Sequence, residues 1–172
     1  MKKVILVVLV SLVVSAAALA APNPASATAH CKKLLKTAPS AYPSLSACVT
    51  AQTAVAADAA SNAAKKCKAE RDGDAAAFAA AHGGKSFADF YGTNGNKKNS
   101  FGKCVSANAD EEVAAEQAAE LNAAKQCKAW RADPAFAAGH GGTSFADLYG
   151  TNANKTNAFG KCVSKLAKAA HS

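Results

Sequence analysis

The stretch NAAKKCKAERDGDAAAFAAAHGGKSFADFYGTNGNKKNSFGKCVS occupies residues 62–106, and a near-copy, NAAKQCKAWRADPAFAAGHGGTSFADLYGTNANKTNAFGKCVS, occupies residues 122–164. We call them repeat 1 and repeat 2. From Phe78 and from Phe136 onward the two align without a gap, and they differ at six of 29 positions. This self-similarity indicates a tandem duplication, which sets the architecture of the chain.

The cysteines follow the duplication. Each copy has one cysteine near its start and one near its end, and a further pair brackets a shorter segment before repeat 1; in chain order they are Cys31, Cys48, Cys67, Cys104, Cys127 and Cys162. An even count is typical of disulfides in an exported chain, and the simplest of the fifteen pairings joins the two cysteines within each unit. Closing a loop of nearly 40 residues stabilises the fold by about 4 kcal/mol in the chain-entropy model.

The residues between the cysteines favour helices. An alanine-rich segment without Gly or Pro predicts a long helix over about 46–71. A further helix is predicted at the end of the chain, over about 154–170, where repeat 2 follows the scheme of repeat 1. No segment shows a convincing strand pattern. The fold class is therefore all-α, with tandem helical hairpins that are each linked by a disulfide.

Shorter helices are predicted inside each repeat. Asp74 is a good N-cap for a short helix that ends at Gly83, and Ser86 can cap one further turn. Asn94 or Asn96 then caps the helix that carries Cys104. Whether that helix pauses at Asn108 or continues to Arg131 stays open, because Asn108 and Glu111 fit a capping box.

Two glycines lie inside predicted helices, two residues before a disulfide cysteine. Gly102 and Gly160 each cost roughly 1 kcal/mol relative to alanine, which close approach of a partner helix would compensate. We therefore expect a large side chain at Gly102 to destabilise the fold sterically.

The N-terminus has the pattern of a secretory signal peptide. Lys2 and Lys3 precede an uncharged, initially apolar run, and Ala18-Leu19-Ala20 places cleavage after Ala20, with residues 25–27 as a second possibility. An uncleaved membrane anchor is the alternative. The alanine-rich second half favours cleavage and a mature form that does not span the membrane.

Composition divides the remaining chain. The predicted parts are an N-terminal segment with the Cys31/Cys48 unit (21–61), repeat 1 (62–106), an acidic helical linker (107–121), repeat 2 (122–164) and a basic tail (165–172). The formal charge of +8 falls to +6 without Lys2 and Lys3. After Ala20 there are eleven Leu, Val or Ile residues and eleven aromatic residues, which make a thin core that needs covalent cross-links.

The closing half of each repeat resembles a known pattern. It is similar to uncharacterised Cys-paired repeats of predicted exported bacterial proteins, with the form C-K-x-x-R, then Phe, then Y-G-T-N-x-N-x-x-N-x-F-G-K-C-V-S. The resemblance covers residues 62–106 and 122–164 and implies compartment and architecture, but no activity. The H-G-G-x-S-F segment is longer than in that pattern and is assigned no role.

The repeated loops are the candidate binding sites. Their residues are His82, Tyr91, Asn94, His140, Tyr149 and Asn152. The two histidines could bind copper or zinc, but a histidine before Gly-Gly also caps a helix C-terminus, and no second ligand stands at metal-site spacing. The asparagines are explained by turns and caps rather than by calcium. His30 would be an amino-terminal copper ligand only if cleavage followed Ala29.

The aromatic residues of each repeat could form a stacking platform for a sugar or peptide, but the thin core favours a role in packing. Trp130 breaks the duplication by replacing Glu70, and if exposed it would be a partner contact. Glu112, Glu116 and Glu120 form an i, i+4 acidic stripe that is unfavourable unless lysines of a neighbouring repeat or of a partner face it.

No catalytic motif, uncommitted cysteine or cofactor-binding pattern is present, so the sequence predicts a protein that is not an enzyme and has no cofactor. The scattered lysines argue against nucleic acid and favour anionic envelope polymers or another protein as partners. The predicted function is a binding or structural role in the secreted, periplasmic or cell-envelope compartment. One alternative is a copper- or zinc-binding protein using His82 and His140. A second is an unrecognised hydrolase that uses Asp89 and Asp147 together with the histidines of the same loops.

Overall fold

A computed structural model of the chain describes residues 24–170, so the predicted signal peptide and the cleavage site after Ala20 lie outside the described residues. These residues form eight α-helices and contain no strand, which confirms the all-α prediction. The helices are α1 (Pro24–Thr37), α2 (Leu45–Asp72), α3 (Ala75–Ala81), α4 (Phe87–Tyr91), α5 (Ser100–Ala132), α6 (Phe136–Gly139), α7 (Phe145–Tyr149) and α8 (Ala158–Ala169).

The long helices α2 and α5 lie side by side in antiparallel directions. The amide of Gln117 donates to Gln52 at 3.3 Å near one end, and Lys66 Nζ donates to Asn108 Oδ1 at 2.7 Å near the other. Helix α5 continues without a break through the region of the predicted capping box at Asn108, which decides the alternative that the sequence left open. The predicted acidic linker, 107–121, is thus part of this helix.

The predicted helix starts are confirmed at three places and wrong at two. The side chains of Ser44, Asp74 and Ser86 accept backbone N–H groups at the starts of α2, α3 and α4, as N-caps do. Helices α5 and α8, however, begin at Ser100 and Ala158, several residues after the asparagines that were expected to cap them. Those asparagines belong to a loop with its own hydrogen bonds, described below.

The disulfides pair the cysteines in chain order, as the simplest pairing predicts: Cys31–Cys48, Cys67–Cys104 and Cys127–Cys162. All six cysteines are fully buried, and none is free. In the described part of the chain, no helix is long and apolar enough to cross a membrane. Three disulfides indicate an oxidising environment, such as the periplasm or the extracellular space.

The core is divided unequally between the two ends of the α2/α5 pair. The larger cluster surrounds the first and third disulfides and includes Leu34, Phe136, Phe145 and Phe159. The smaller one, around Cys67–Cys104, has only Ala63 and Val105 as further buried members. Repeat 1 therefore depends on its disulfide more than repeat 2 does.

The two helix glycines have different surroundings. A Cβ at Gly160 would lie 2.8 Å from the carbonyl oxygen of Ala41, in the loop between α1 and α2. A Cβ at Gly102 would meet nothing within 4 Å, so the expected steric role of Gly102 is wrong. The close approach exists only at Gly160, and the neighbour is a loop rather than the disulfide-linked helix.

We therefore expect opposite effects from the same substitution at these two positions. Gly160→Leu should lower the free energy of unfolding by about 1–3 kcal/mol, because the backbone of Ala41 must move. Gly102→Leu should raise it by up to about 1 kcal/mol, because leucine favours the helix and finds open space. Urea denaturation of both variants measures the difference, and a loss of equal size at both positions would contradict it.

Candidate functional site

The repeated loop of each copy is held by its own side chains. In repeat 1, Asn99 Oδ1 accepts the backbone N–H groups of Thr93 and Asn94 at 3.1 and 3.4 Å, and Asn99 Nδ2 donates to Thr93 Oγ1 at 2.7 Å. Lys97 has a φ of 56°, and its Nζ donates to the carbonyl of Gly92 at 3.0 Å. A Cβ at Gly92 would collide with the carbonyl of Ala88. The G-T-N-x-N-K-x-N pattern thus specifies a loop shape.

Repeat 2 forms the same loop. Lys155 also has a φ of 56°, and its Nζ donates to the carbonyl of Gly150 at 3.1 Å. Asn157 Oδ1 accepts the backbone N–H groups of Thr151 and Asn152 at 3.0 and 3.4 Å. The candidate residues Asn94 and Asn152 are therefore exposed members of a turn that is stabilised from within.

The candidate histidines cap the short helices. Nδ1 of His82 lies 2.8 Å from the carbonyl oxygen of Phe78, and Nδ1 of His140 lies 2.7 Å from that of Phe136. Each ring also stacks on the same phenylalanine, with centroid distances of 3.9 and 3.8 Å. Since a carbonyl only accepts, Nδ1 of each ring is the donor in this contact. Within residues 24–170, no group of three or more His, Cys, Asp or Glu side chains is placed to hold a metal ion.

The aromatic residues mostly pack inside the repeats. The buried members include Phe78, Phe136, Phe145 and Tyr149. Phe90 and its counterpart Leu148 are 44% and 39% exposed. Tyr91, the counterpart of Tyr149, is half-buried, and its hydroxyl donates to Glu70 at 3.1 Å. A continuous stacking platform is therefore not formed by these rings.

Trp130 takes a different role from that of Glu70. It is half-buried, and its ring stacks on Tyr149 with a centroid distance of 6.4 Å and an interplanar angle of 12°. The exchange of Glu70 for Trp130 thus replaces a hydrogen bond to the loop tyrosine with a ring contact.

A groove lies on repeat 2, beside the loop between α1 and α2. It consists of two adjoining depressions of about 470 and 570 Å³ that share Ser40 and Thr156. We call it the repeat-2 groove. Aromatic side chains line one half, including Trp130 and Phe159, and the segment Pro39–Pro43 forms a wall of the other half.

The charged side chains of the repeat-2 groove are mostly basic. Arg131, Lys155 and Lys161 line it, against one carboxylate, Asp133. The guanidinium of Arg131 lies 4.8 Å over the ring of Phe159, and Asp133 Oδ1 accepts the N–H of Ala135 at 2.8 Å. Lys161 is exposed at the rim. The groove can therefore accept an anionic ligand that also has apolar surface.

A buried polar cluster supports one wall of this groove. The carboxylate of Glu120 accepts from Tyr42 Oη at 2.7 Å and from Gln52 Nε2 at 2.9 Å, and its Oε2 lies 2.8 Å from His30 Nε2. His30, Gln52 and Glu120 are each at most 7% exposed. The cluster joins α1, the α1–α2 loop, α2 and α5 at a single carboxylate.

Sequence reasoning missed this cluster. It placed Glu120 in an exposed stripe to be neutralised by lysines, and it considered His30 only as a possible amino-terminal ligand. The expectation for Glu120 is wrong, because its hydrogen-bond partners are a histidine, a tyrosine and a glutamine. The hypothesis for His30 depends on cleavage after Ala29 and stays a hypothesis. One signal was present: Gln52 stands within an alanine-rich helix, on the same helical face as the buried Cys48, Ala56 and Ala59.

Burial, together with the hydrogen bond to Glu120 and its negative charge, raises the pKa of Tyr42 well above its ordinary value of about 10. The folded state therefore keeps the phenolic proton at a pH where the unfolded chain has lost it. The stability that Tyr42 contributes is complete below about pH 10 and is lost as the pH rises through the folded-state pKa.

We expect the stability difference between the native chain and Tyr42→Phe to narrow above pH 10. Comparing the two chains cancels the titration of the lysines, which both share. Urea denaturation at pH 8 and at pH 10.5–11 measures the difference, and a gap that is constant over this range would contradict the assignment of Tyr42 as the donor.

Comparison with known proteins gives no relative. No family model matches the chain, and neither a curated protein nor a solved structure is similar to it. The functional argument therefore rests on the residues of the chain itself.

Proposed function

We propose that this protein is an exported, non-enzymatic helical repeat protein with a binding role at or outside the cell envelope, and that the repeat-2 groove binds an anionic envelope polymer. The observation that carries the proposal is the groove with three basic side chains, one acidic side chain and an aromatic wall. The predicted signal peptide, the three disulfides and the net charge of +6 after Ala20 support the compartment.

Groove charges favour an extended polyanion over a small anion. The three cations come from α5, the loop before α8 and α8 itself, and they lie in both depressions of the groove, Arg131 and Lys155 in one and Lys161 in the other. Two of them are already oriented, Lys155 by the carbonyl of Gly150 and Arg131 by Phe159 and Ser40. A ligand with repeated negative charges can span both depressions and contact cations in each.

The duplication supplies a matched control for the test. Lys161 lines the groove, and its counterpart in repeat 1 is the exposed Lys103, which does not. Binding of a soluble anionic envelope polysaccharide to the full chain can be measured by calorimetry at low and at high salt. We expect Lys161→Glu to weaken binding about three- to tenfold, equivalent to about 0.6–1.4 kcal/mol, and Lys103→Glu to have a smaller effect.

Salt should weaken the interaction of the native chain, since the rim charges are screened over about 10 Å at 0.1 M ionic strength. Affinity that is independent of salt, or equal losses in the two variants, would overturn the assignment of the groove. Copper and zinc binding by His82 and His140 stays a separate hypothesis, and titration of the full chain with either metal tests it.

A further inference from the structure

Repeat 1 carries a copy of the surface on which the α1–α2 loop is seated in repeat 2. The copied residues are Arg71, Phe101, Gly102 and Lys103, which correspond to Arg131, Phe159, Gly160 and Lys161. We call the four residues of repeat 1 the repeat-1 face. Both arginines lie over the ring of the corresponding phenylalanine, at 4.9 and 4.8 Å.

In repeat 2 this surface is covered by the segment Pro39–Pro43. The carbonyl oxygen of Ala41 lies against Gly160, where a side chain would leave it no room. Arg131 Nη1 donates to Ser40 Oγ at 3.3 Å, and Phe159 is only 3% exposed. A helix glycine, a stacked arginine and a phenylalanine thus form a seat for a short proline-bounded segment.

In repeat 1, none of the residues 24–170 covers the same seat. A Cβ at Gly102 would meet nothing within 4 Å, and Phe101 is half-buried rather than buried. Arg71 donates to the carboxylate of Asp72 through Nε and Nη2. In repeat 2, Arg131 donates to the hydroxyl of Ser40 through its third nitrogen, Nη1. The Arg71–Asp72 pair is exposed and of little energetic weight, so it does not prevent the same contact.

Gly102 is the strongest indication that this seat has an occupant. Glycine in a helix costs up to about 1 kcal/mol relative to alanine, and at Gly102, in the first turn of α5, no contact within the described chain requires it. At Gly160 the same cost is explained by the carbonyl of Ala41. An external backbone at the same distance would explain Gly102.

We propose that the repeat-1 face binds a proline-bounded segment of another polypeptide, with small residues at the contact point and a hydroxyl for Arg71, of the type Pro-Ser-Ala-Tyr-Pro seen at residues 39–43. The chain's own segment is held on repeat 2 by the Cys31–Cys48 disulfide and by the bond from Tyr42 to Glu120, so the occupant is a separate chain. This inference concerns a different surface from the repeat-2 groove and does not depend on its ligand.

The test uses the full, oxidised chain labelled with ¹⁵N and a neutral synthetic peptide with the sequence TAPSAYPSL, residues 37–45. We expect saturable shifts of the backbone amides of Gly102 and Lys103, with Gly160 unchanged, because the tethered segment keeps its place on repeat 2 by its high effective concentration. A peptide with alanine in place of the serine that matches Ser40 should bind about threefold more weakly.

Two glycine variants provide the decisive comparison. Gly102→Leu should fold at least as well as the native chain and should raise the Kd at least tenfold, because the leucine fills the place of the peptide carbonyl. Gly139→Leu, at another glycine whose Cβ would meet nothing within 4 Å, should leave the Kd unchanged.

Several results would overturn the proposal. These are the absence of shifts at millimolar peptide, shifts that persist in Gly102→Leu, and equal binding of a scrambled peptide. Shifts of the same amides that grow with protein concentration without peptide, together with dimers in sedimentation, would identify a second copy as the occupant and would also refute it.

Discussion

Replacing Glu120 with alanine is expected to lower the free energy of unfolding by about 3–5 kcal/mol, because it removes a buried carboxylate that accepts three hydrogen bonds. The truncation leaves the polar atoms of His30, Tyr42 and Gln52 without the acceptor that they share. Each buried donor without a partner costs about 1–3 kcal/mol. For a domain of this size the melting temperature should fall by about 6–20 °C.

A second substitution distinguishes the contribution of the carboxylate group from that of the volume of the side chain. Glu120→Gln keeps the shape but presents an NH₂ group to one of three donors, so we expect a loss of about 1–3 kcal/mol, smaller than for alanine. Glu111→Ala is the matched control, since Glu111 is an exposed glutamate of the same helix, and its loss should stay within about 0.5 kcal/mol. Similar losses for Glu111→Ala and Glu120→Ala would contradict the structural role of the cluster.

Removing the disulfide of repeat 1 should lower the free energy of unfolding by a similar amount, but the loss should be confined to one end of the molecule. The double variant Cys67→Ala/Cys104→Ala opens a loop with a sequence separation of 37, which costs about 4 kcal/mol in the chain-entropy model. The same two residues make up half of the buried members of the smaller core cluster. The other buried members, Ala63 and Val105, are small, and the aromatic side chains packed against the cluster, Phe87, Tyr91 and Phe101, are only partly buried.

Hydrogen exchange distinguishes a local from a global loss. In the double variant, we expect amides of 73–103 to exchange faster, while the end of the molecule around Cys127–Cys162 keeps more of its protection. Cys31→Ala/Cys48→Ala is the comparison, with a separation of 17 and an expected cost of about 3 kcal/mol. If amide exchange in the Cys67→Ala/Cys104→Ala chain is accelerated equally at both ends of the molecule, the smaller cluster does not make a separate contribution to stability.

Local features of the fold could be predicted because their causes lie within a few residues of one another. The caps at Asp74 and Ser86, the glycine stops and the helical preference of the alanine-rich segments all act over one or two turns. The predicted starts of α5 and α8 were wrong, because local reasoning took the loop asparagines for helix caps. Asn94 and Asn96 instead belong to a loop that Asn99 holds, and Asn96 Oδ1 accepts the N–H of Lys98 within that loop.

The candidate site was predicted only in part. The histidine before each Gly-Gly pair was recognised as a helix cap, with a metal site left as the alternative, and its bond to a carbonyl four residues earlier supports the capping role. The repeat-2 groove was missed, because one wall comes from Pro39–Pro43, which is far in sequence from the repeat that it contacts.

The amino-acid sequence by itself determined the all-α class and the long α2 segment, because helix propensity and capping act over a few residues. The duplication also indicated the disulfide pairing, because each unit contains two cysteines. Only the tertiary structure decided that Glu120 is buried and that Gly160 is covered while Gly102 is open. Two nearly identical repeats have the same local preferences, so nothing local shows on which copy the N-terminal segment packs. That choice depends on contacts between distant segments, where Glu120 meets His30 across 90 residues of sequence.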